Sequence, residues 1–185
     1  MNRIKKTVLL LIGAVILGAC SINFSTSRTG GNKGDGGWET YKSDDYGYSI
    51  QHPKGWRVVD KSSETTRQIY VYEPDNRAYV KIDAYKEDRL DSVEAIADVS
   101  EAFKEKISAE PGMVLTQFNE SVEGNVGGYI AIGEQTVDDQ LFLFENRGLF
   151  STNGRAMLFH RSVLKDLFTE LDETLTKIIN SFSLE

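Results

Sequence analysis

The chain has 185 residues, with 21 Lys and Arg against 28 Asp and Glu, a net charge of −7 at pH 7 and a single cysteine. That balance excludes a surface built for nucleic acid, which needs clustered cations to displace counterions. One cysteine also excludes a disulfide or a cysteine-based zinc site within one molecule.

Arg3, Lys5 and Lys6 precede an uncharged apolar run from Thr7 to Ala19, the charged-then-apolar order of an export signal. The run is shorter than the roughly 20 apolar residues that a spanning helix takes. It ends in Leu17-Gly18-Ala19-Cys20, which resembles the lipobox of bacterial lipoprotein signal peptides. The resemblance implies that residues 1–19 are a signal peptide and that Cys20 carries diacylglyceryl and palmitate chains. Lipid burial contributes about 0.8 kcal/mol per CH₂, so two chains hold where one is marginal. The implied address is the outer face of the cytoplasmic membrane. In a cell with two membranes it is the periplasmic side of the outer membrane, since Ser21 rather than Asp follows the cysteine. The signal peptide holds three basic residues and no acidic one, so the remainder is more acidic still and would be repelled by anionic headgroups.

Residues 20–37 comprise that cysteine and a Ser-, Thr-, Gly- and Asn-rich stretch. So little can be buried there that a flexible linker is expected, spanning roughly 20 to 25 Å. A globular domain follows over residues 38–185. Its first strand is expected from Tyr46, broken at Pro53-Lys54-Gly55 because proline lacks an amide hydrogen and glycine admits a positive φ. A second strand runs through Val58 and Val59. Next comes a hairpin pairing Ile69 with Ile82, Val71 with Val80 and Tyr72 with Tyr79 around Pro74-Asp75-Asn76-Arg77. Alternation puts Ile69, Val71, Val80, Ile82 and Ala84 on a core face, and Tyr70, Tyr72, Tyr79, Lys81, Asp83 and Tyr85 on the other.

Asp91 with Glu94 reads as a capping box for a helix carrying Val93, Ile96, Ser100, Phe103 and Ile107 on one stripe, ended by Pro111-Gly112. Strands are expected over 114–123, 128–136 and 141–152. The last turns at Asn153-Gly154 and returns through Arg155 to His160, pairing Phe150 with Met157 and Leu149 with Leu158. From Leu164 a closing helix is expected, with Ser162 as its N-cap. Leu164, Leu167, Phe168, Leu171, Leu175, Ile178, Ile179 and Phe182 step by three and four along it. The fold class is α/β (α+β), a single domain with an antiparallel sheet sandwiched between helices.

The run Tyr46-Gly47-Tyr48-Ser49-Ile50-Gln51-His52-Pro53-Lys54-Gly55-Trp56 and the closing Ile178-Ile179-Asn180-Ser181-Phe182 resemble PsbP-like domains over most of residues 38–185. The resemblance implies an antiparallel sheet between helices, an architecture shared with a Ran-binding nuclear protein. Members of that family support the oxygen-evolving side of photosystem II, and many bacterial relatives are lipoproteins. No family metal or partner residue maps onto this chain, so function is left open.

No catalytic residue is assigned. A hydrolase needs a nucleophile beside an oriented base, and the two histidines, His52 and His160, show no partners in the sequence. A hard cation such as Ca²⁺ would be offered oxygens by Glu134 with Asp138 and Asp139, or by Glu87, Asp88 and Asp91. Turns favour Asp in any case, and neither set has calcium-loop spacing. The candidate binding surface is Tyr70, Tyr72, Tyr79 and Tyr85, since tyrosine joins a flat apolar body to a hydroxyl. If the closing helix or the linker covers that face, the tyrosines are packing instead. The resulting expectation is a non-enzymatic, membrane-anchored accessory or binding domain without cofactor. Its partners would be the membrane, through lipid on Cys20, and a protein or envelope polymer. The alternatives are an envelope hydrolase and a divalent-cation-binding lipoprotein.

Overall fold

A computed structural model describes residues 37–184. The signal peptide, Cys20 and almost all of the linker lie outside the described residues. Strands β1 (Trp38–Ser43) and β2 (Tyr48–Pro53) form an antiparallel hairpin with Tyr41 opposite Ile50. It turns at Gly47, whose φ of 63° suits a residue without a Cβ. A first strand beginning at Tyr46, as expected from the sequence, leaves β1 out, and the structure adds it. A two-residue strand near the C-terminus, Ser183–Leu184, pairs with the other edge of β2 and completes a three-stranded sheet.

The main sheet has seven antiparallel strands. In chain order these are β3 (Arg57–Asp60), β4 (Thr66–Tyr72), β5 (Ala78–Lys86), β6 (Met113–Glu123), β7 (Val126–Val137), β8 (Gln140–Ser151) and β9 (Arg155–Leu164), the short C-terminal strand being β10. In space the order is β3-β4-β5-β9-β8-β7-β6. The expected register of β4 on β5 is found, with Ile69 opposite Ile82, Val71 opposite Val80 and Tyr72 opposite Tyr79.

Three expectations need correction. The N-cap of α1 (Val93–Ala109) is Ser92, whose hydroxyl accepts from the Ala95 amide, and not Asp91. Serine reaches the third amide of the first turn from there, so the capping signal is displaced by one residue. The β8–β9 turn is a three-residue loop, not a two-residue Asn-Gly turn. Gly154 donates to the Ser151 carbonyl at 3.0 Å and takes φ +85°, which sets Phe150 opposite Ala156 and Leu149 opposite Met157. That is the geometry of a tight turn closed by a glycine in the left-handed region. Ser162 is not a helix cap. It lies buried inside β9, which runs on to Leu164 because Ala78 and Tyr79 of β5 and Phe142 to Phe144 of β8 continue the ladder on both sides. A single 3₁₀ turn, Lys165–Leu167, then leads into α2 (Phe168–Asn180).

Two hydrophobic cores lie on opposite faces of the main sheet. Helix α2 and the small sheet cover one face over β4, β5 and β9, burying Ile50, Val71, Val80, Ile82, Leu175 and Ile178. Helix α1 covers the other face over β6, β7 and β8, burying Ile96, Ile107, Tyr129, Phe144 and Phe150. The ring of Tyr129 lies over Gly148, its cross-strand neighbour, where any Cβ would collide with it. Since the helices sit diagonally, the face carrying Tyr70, Tyr72 and Tyr79 has no helix above it. Among the described residues no helix is long and apolar enough to cross a membrane.

Candidate functional site: a tyrosine and histidine face

Strand pairing alone assembles this face. Tyr70, Lys81, His160 and Asn146 form one cross-strand row over β4, β5, β9 and β8, and Tyr72, Tyr79 and Ser162 form the next. Tyr70 and Tyr72 stack with ring centroids 5.7 Å apart and planes within 2°. Tyr72 and Tyr79 follow at 5.7 Å, and Tyr79 and His160 at 5.2 Å.

Cations lie against the ring faces. The Arg57 guanidinium is 4.4 Å from the Tyr72 centroid, and the Lys61 and Lys81 ammonium groups are 4.9 and 5.7 Å from that of Tyr70. Attraction to the negative face of an aromatic ring holds them there. Arg57 and Lys61 are both exposed. Lys81 also pairs with Asp83 at 2.7 Å, and Gln68 donates to the same carboxylate at 2.7 Å. Burial, helped by the charge of Asp83, pushes the Tyr70 hydroxyl up to about 12, and burial raises that of Tyr72 too. Both hydroxyls therefore keep their protons at neutral pH.

His160 has partners at both ring nitrogens, contrary to the expectation that it stands alone. Nδ1 lies 2.6 Å from Oδ1 of Asn146 and Nε2 lies 2.8 Å from the Tyr79 hydroxyl. Assigned from this network, Nδ1 donates to Asn146 and Nε2 accepts from Tyr79. Burial, with Lys81 close by, pushes the imidazole down to about 4, so it is neutral at physiological pH. Burial likewise raises the Tyr79 hydroxyl. With both nitrogens engaged by Asn146 and Tyr79, the ring has no serine as hydrogen-bond partner.

The remaining candidates named from the sequence sit elsewhere. Tyr85 is on the same face as the other tyrosines but packs against the α1 core, opposite Ala156. Burial pushes its hydroxyl up to about 12. His52 belongs to the small sheet, is buried, and lies with Nδ1 3.0 Å from the Pro53 carbonyl. Asp138 and Asp139, at φ 49° and 62°, form the two-residue turn between β7 and β8. Asp tolerates this left-handed region better than most residues. Glu134 is bonded to Lys165 at 2.9 Å. Glu87 pairs with Arg89 and Asp88 with Lys86. Among the described residues no three His, Cys, Asp or Glu side chains are grouped to hold a metal ion.

On the reverse face, Glu145 bonds Arg147 and also Arg161 at 2.6 Å. Arg161 continues to Asp172 at 2.7 Å and Thr176 at 2.9 Å on α2. Burial alone would raise the Glu145 carboxyl, but the two arginines more than reverse this and hold it below the ordinary range. Sequence reasoning misses Arg57, Lys61, Asn146 and His160 as parts of one surface. A usable signal exists in the β8–β9 turn, because the true register places Asn146 opposite His160, whereas a one-residue slip puts Arg147 there.

No family model matches the chain, and no curated protein matches it in sequence. Solved structures do. Cyanobacterial PsbP (CyanoP) of Synechocystis sp. PCC 6803 is 17% identical, with a TM-score of 0.55, over 87% of this chain and 100% of that one. LpqN of Mycobacterium tuberculosis, described as involved in cell envelope biogenesis, is 13% identical over 81% of this chain and 92% of its own, with a TM-score of 0.49. The Ran-binding protein Mog1p of Saccharomyces cerevisiae is 10% identical over 80% and 95%, with a TM-score of 0.46. At such identities the likeness speaks for architecture. The chain has a PsbP-like fold, an antiparallel α+β domain.

Proposed function

We propose that this protein is a lipid-anchored, extracytoplasmic binding domain without catalysis of its own. It engages a protein or envelope-polymer partner through the face of Tyr70, Tyr72 and Tyr79. The carrying observation is that α1 and α2 cover diagonally opposite parts of the main sheet. Stacked tyrosines flanked by exposed Arg57 and Lys61 are thus left without a helix above them. Tyr70 is itself buried beneath its neighbours, whereas Tyr72 and Tyr79 are half-buried and offer aromatic contact area at small rotamer cost. The export signal and the Leu17-Gly18-Ala19-Cys20 sequence support the anchor.

Two measurements test the proposal. Metabolic labelling with a fatty acid is expected to mark the wild type and not Cys20→Ala; equal labelling would remove the anchor. Photo-crosslinking from position 72 in intact envelopes, followed by recovery of the adduct, is expected to give a discrete product. A crosslinking pattern no different from that of a probe at Glu105 on α1 would remove the surface.

A further inference from the structure

We infer that the tyrosine face takes an acidic peptide segment in extended form, with carboxylates at alternate positions. This rests on the binding reading above and names its ligand class. The face is rich in donors. Arg57 and Lys61 form no ion pair among the described residues, and the tyrosine hydroxyls between them stay protonated. The carboxylate on this face, Asp83, is already engaged by Lys81 and Gln68. A chain of net charge −7 therefore presents here a patch whose uncommitted charge is positive. A partner that complements it carries negative charge and accepts hydrogen bonds.

Spacing chooses the form. Tyr72 lies opposite Arg57, and Tyr70, two residues away on β4, has Lys61 and Lys81 against its ring. Positions two apart on a strand are separated by about 6.6 to 6.8 Å. Arg57 lies opposite Tyr72 and Lys61, four positions on, opposite Gln68; alternate side chains of an extended peptide point the same way, so a run of alternating carboxylates offers one to each cation. Cations already lie against the rings of Tyr70 and Tyr72. That favours carboxylates over the flat sugar faces of a neutral polymer.

The test uses the full-length protein in nonionic detergent and a fluorescein-labelled peptide, Gly-Glu-Ala-Glu-Ala-Glu-Gly, with its all-Gln counterpart as the comparison. Anisotropy is expected to show saturable binding of the Glu peptide that weakens with salt, and binding of the Gln peptide about tenfold weaker or less. Arg57→Gln with Lys61→Gln should lose about tenfold. Lys104→Gln with Lys106→Gln, which removes equal charge from α1, should not. Equal binding of the two peptides, equal losses in both double variants, or preferential binding of phosphatidylglycerol vesicles would overturn the inference. The broader reading fails separately. If position-72 crosslinking remains specific while Arg57→Gln with Lys61→Gln leaves the adduct unchanged, the face binds but its ligand is not acidic.

Discussion

The Tyr79 hydroxyl donates to Nε2 of His160 across 2.8 Å, between residues 81 positions apart in sequence and on adjacent strands of the main sheet. Oδ1 of Asn146 accepts a hydrogen bond from the other ring nitrogen, Nδ1, at 2.6 Å. The histidine is thus fixed as a neutral link between three strands, and the tyrosine face is rigid at that end.

This link makes stability depend on pH in a definite direction. An unfolded His160 takes up a proton near pH 6.5, whereas the folded one holds out to about 4. The unfolded state therefore binds more protons in between. The stabilisation is complete above pH 6.5 and is lost as pH falls towards 4. Its ceiling is about 3 kcal/mol. Urea melts at pH 7 and pH 5 should show the loss in wild type and a much smaller one in His160→Gln. Identical pH dependence in the two proteins would mean that the imidazole is solvated when folded.

Tyr79→Phe should cost about 1 to 2 kcal/mol, because it leaves Nε2 of His160 without its donor while the ring stack persists. Substitutions at Tyr79 and Tyr72 should therefore differ in their effect on the thermal midpoint. Tyr72, which makes no such bond to the histidine, is the cleaner probe of binding. A midpoint equal to wild type in Tyr79→Phe would show that water replaces the phenol at no cost.

Arg161 bridges sheet and helix, with its side chain only 13% exposed and bonded to Glu145 on β8 and to Asp172 and Thr176 on α2. Removing it leaves the buried Glu145 with Arg147 alone, so Arg161→Met should cost up to about 3 kcal/mol, the lower end for a broken buried pair. Combining it with Glu145→Leu should recover part of that loss, since the half-compensated charge goes too. A double-mutant cycle by denaturant melts measures this, and strictly additive losses would argue against the coupling.

Within α2, burial ranks the apolar positions in an order that periodicity does not reveal. Leu175 and Ile178 are fully buried, whereas Leu171 is only partly so. Leu175→Ala is expected to cost about 2 to 5 kcal/mol and Leu171→Ala distinctly less. Chemical denaturation of the two variants gives the comparison, and the reverse ranking would mean that α2 is rotated from the position described.

Much of the architecture is legible in the sequence because neighbouring residues carry the signal. Pro74 to Arg77 close a short turn, and alternation on either side sets Tyr72 opposite Tyr79. Where the signal is non-local, sequence alone does not decide. Periodicity from Leu164 to Phe182 looks the same whether Leu164 starts a helix or ends a strand, and only the β5 and β8 ladders on both sides decide for a strand. At Asn153-Gly154 the dipeptide admits either a two- or a three-residue loop. The choice exchanges Asn146 for Arg147 opposite His160, and with it one face for the other. The candidate face is half visible for the same reason. Its tyrosines lie on one hairpin, but Lys61, Asn146 and His160 arrive from three other segments.

The diagonal placement of the helices gives the one sheet two separate hydrophobic linings, joined chiefly through β8 and β9. A breathing motion that lifts α1 exposes Phe144 and Phe150 while the packing beneath Val80 and Ile82 stays closed. Amide exchange should then fall into two tiers, with β4 and β5 among the slower. Substitutions that loosen the α1 lining would leave the spacing of Arg57, Tyr70 and Tyr72 intact, so one half of the molecule is free to diverge while the other keeps its grip.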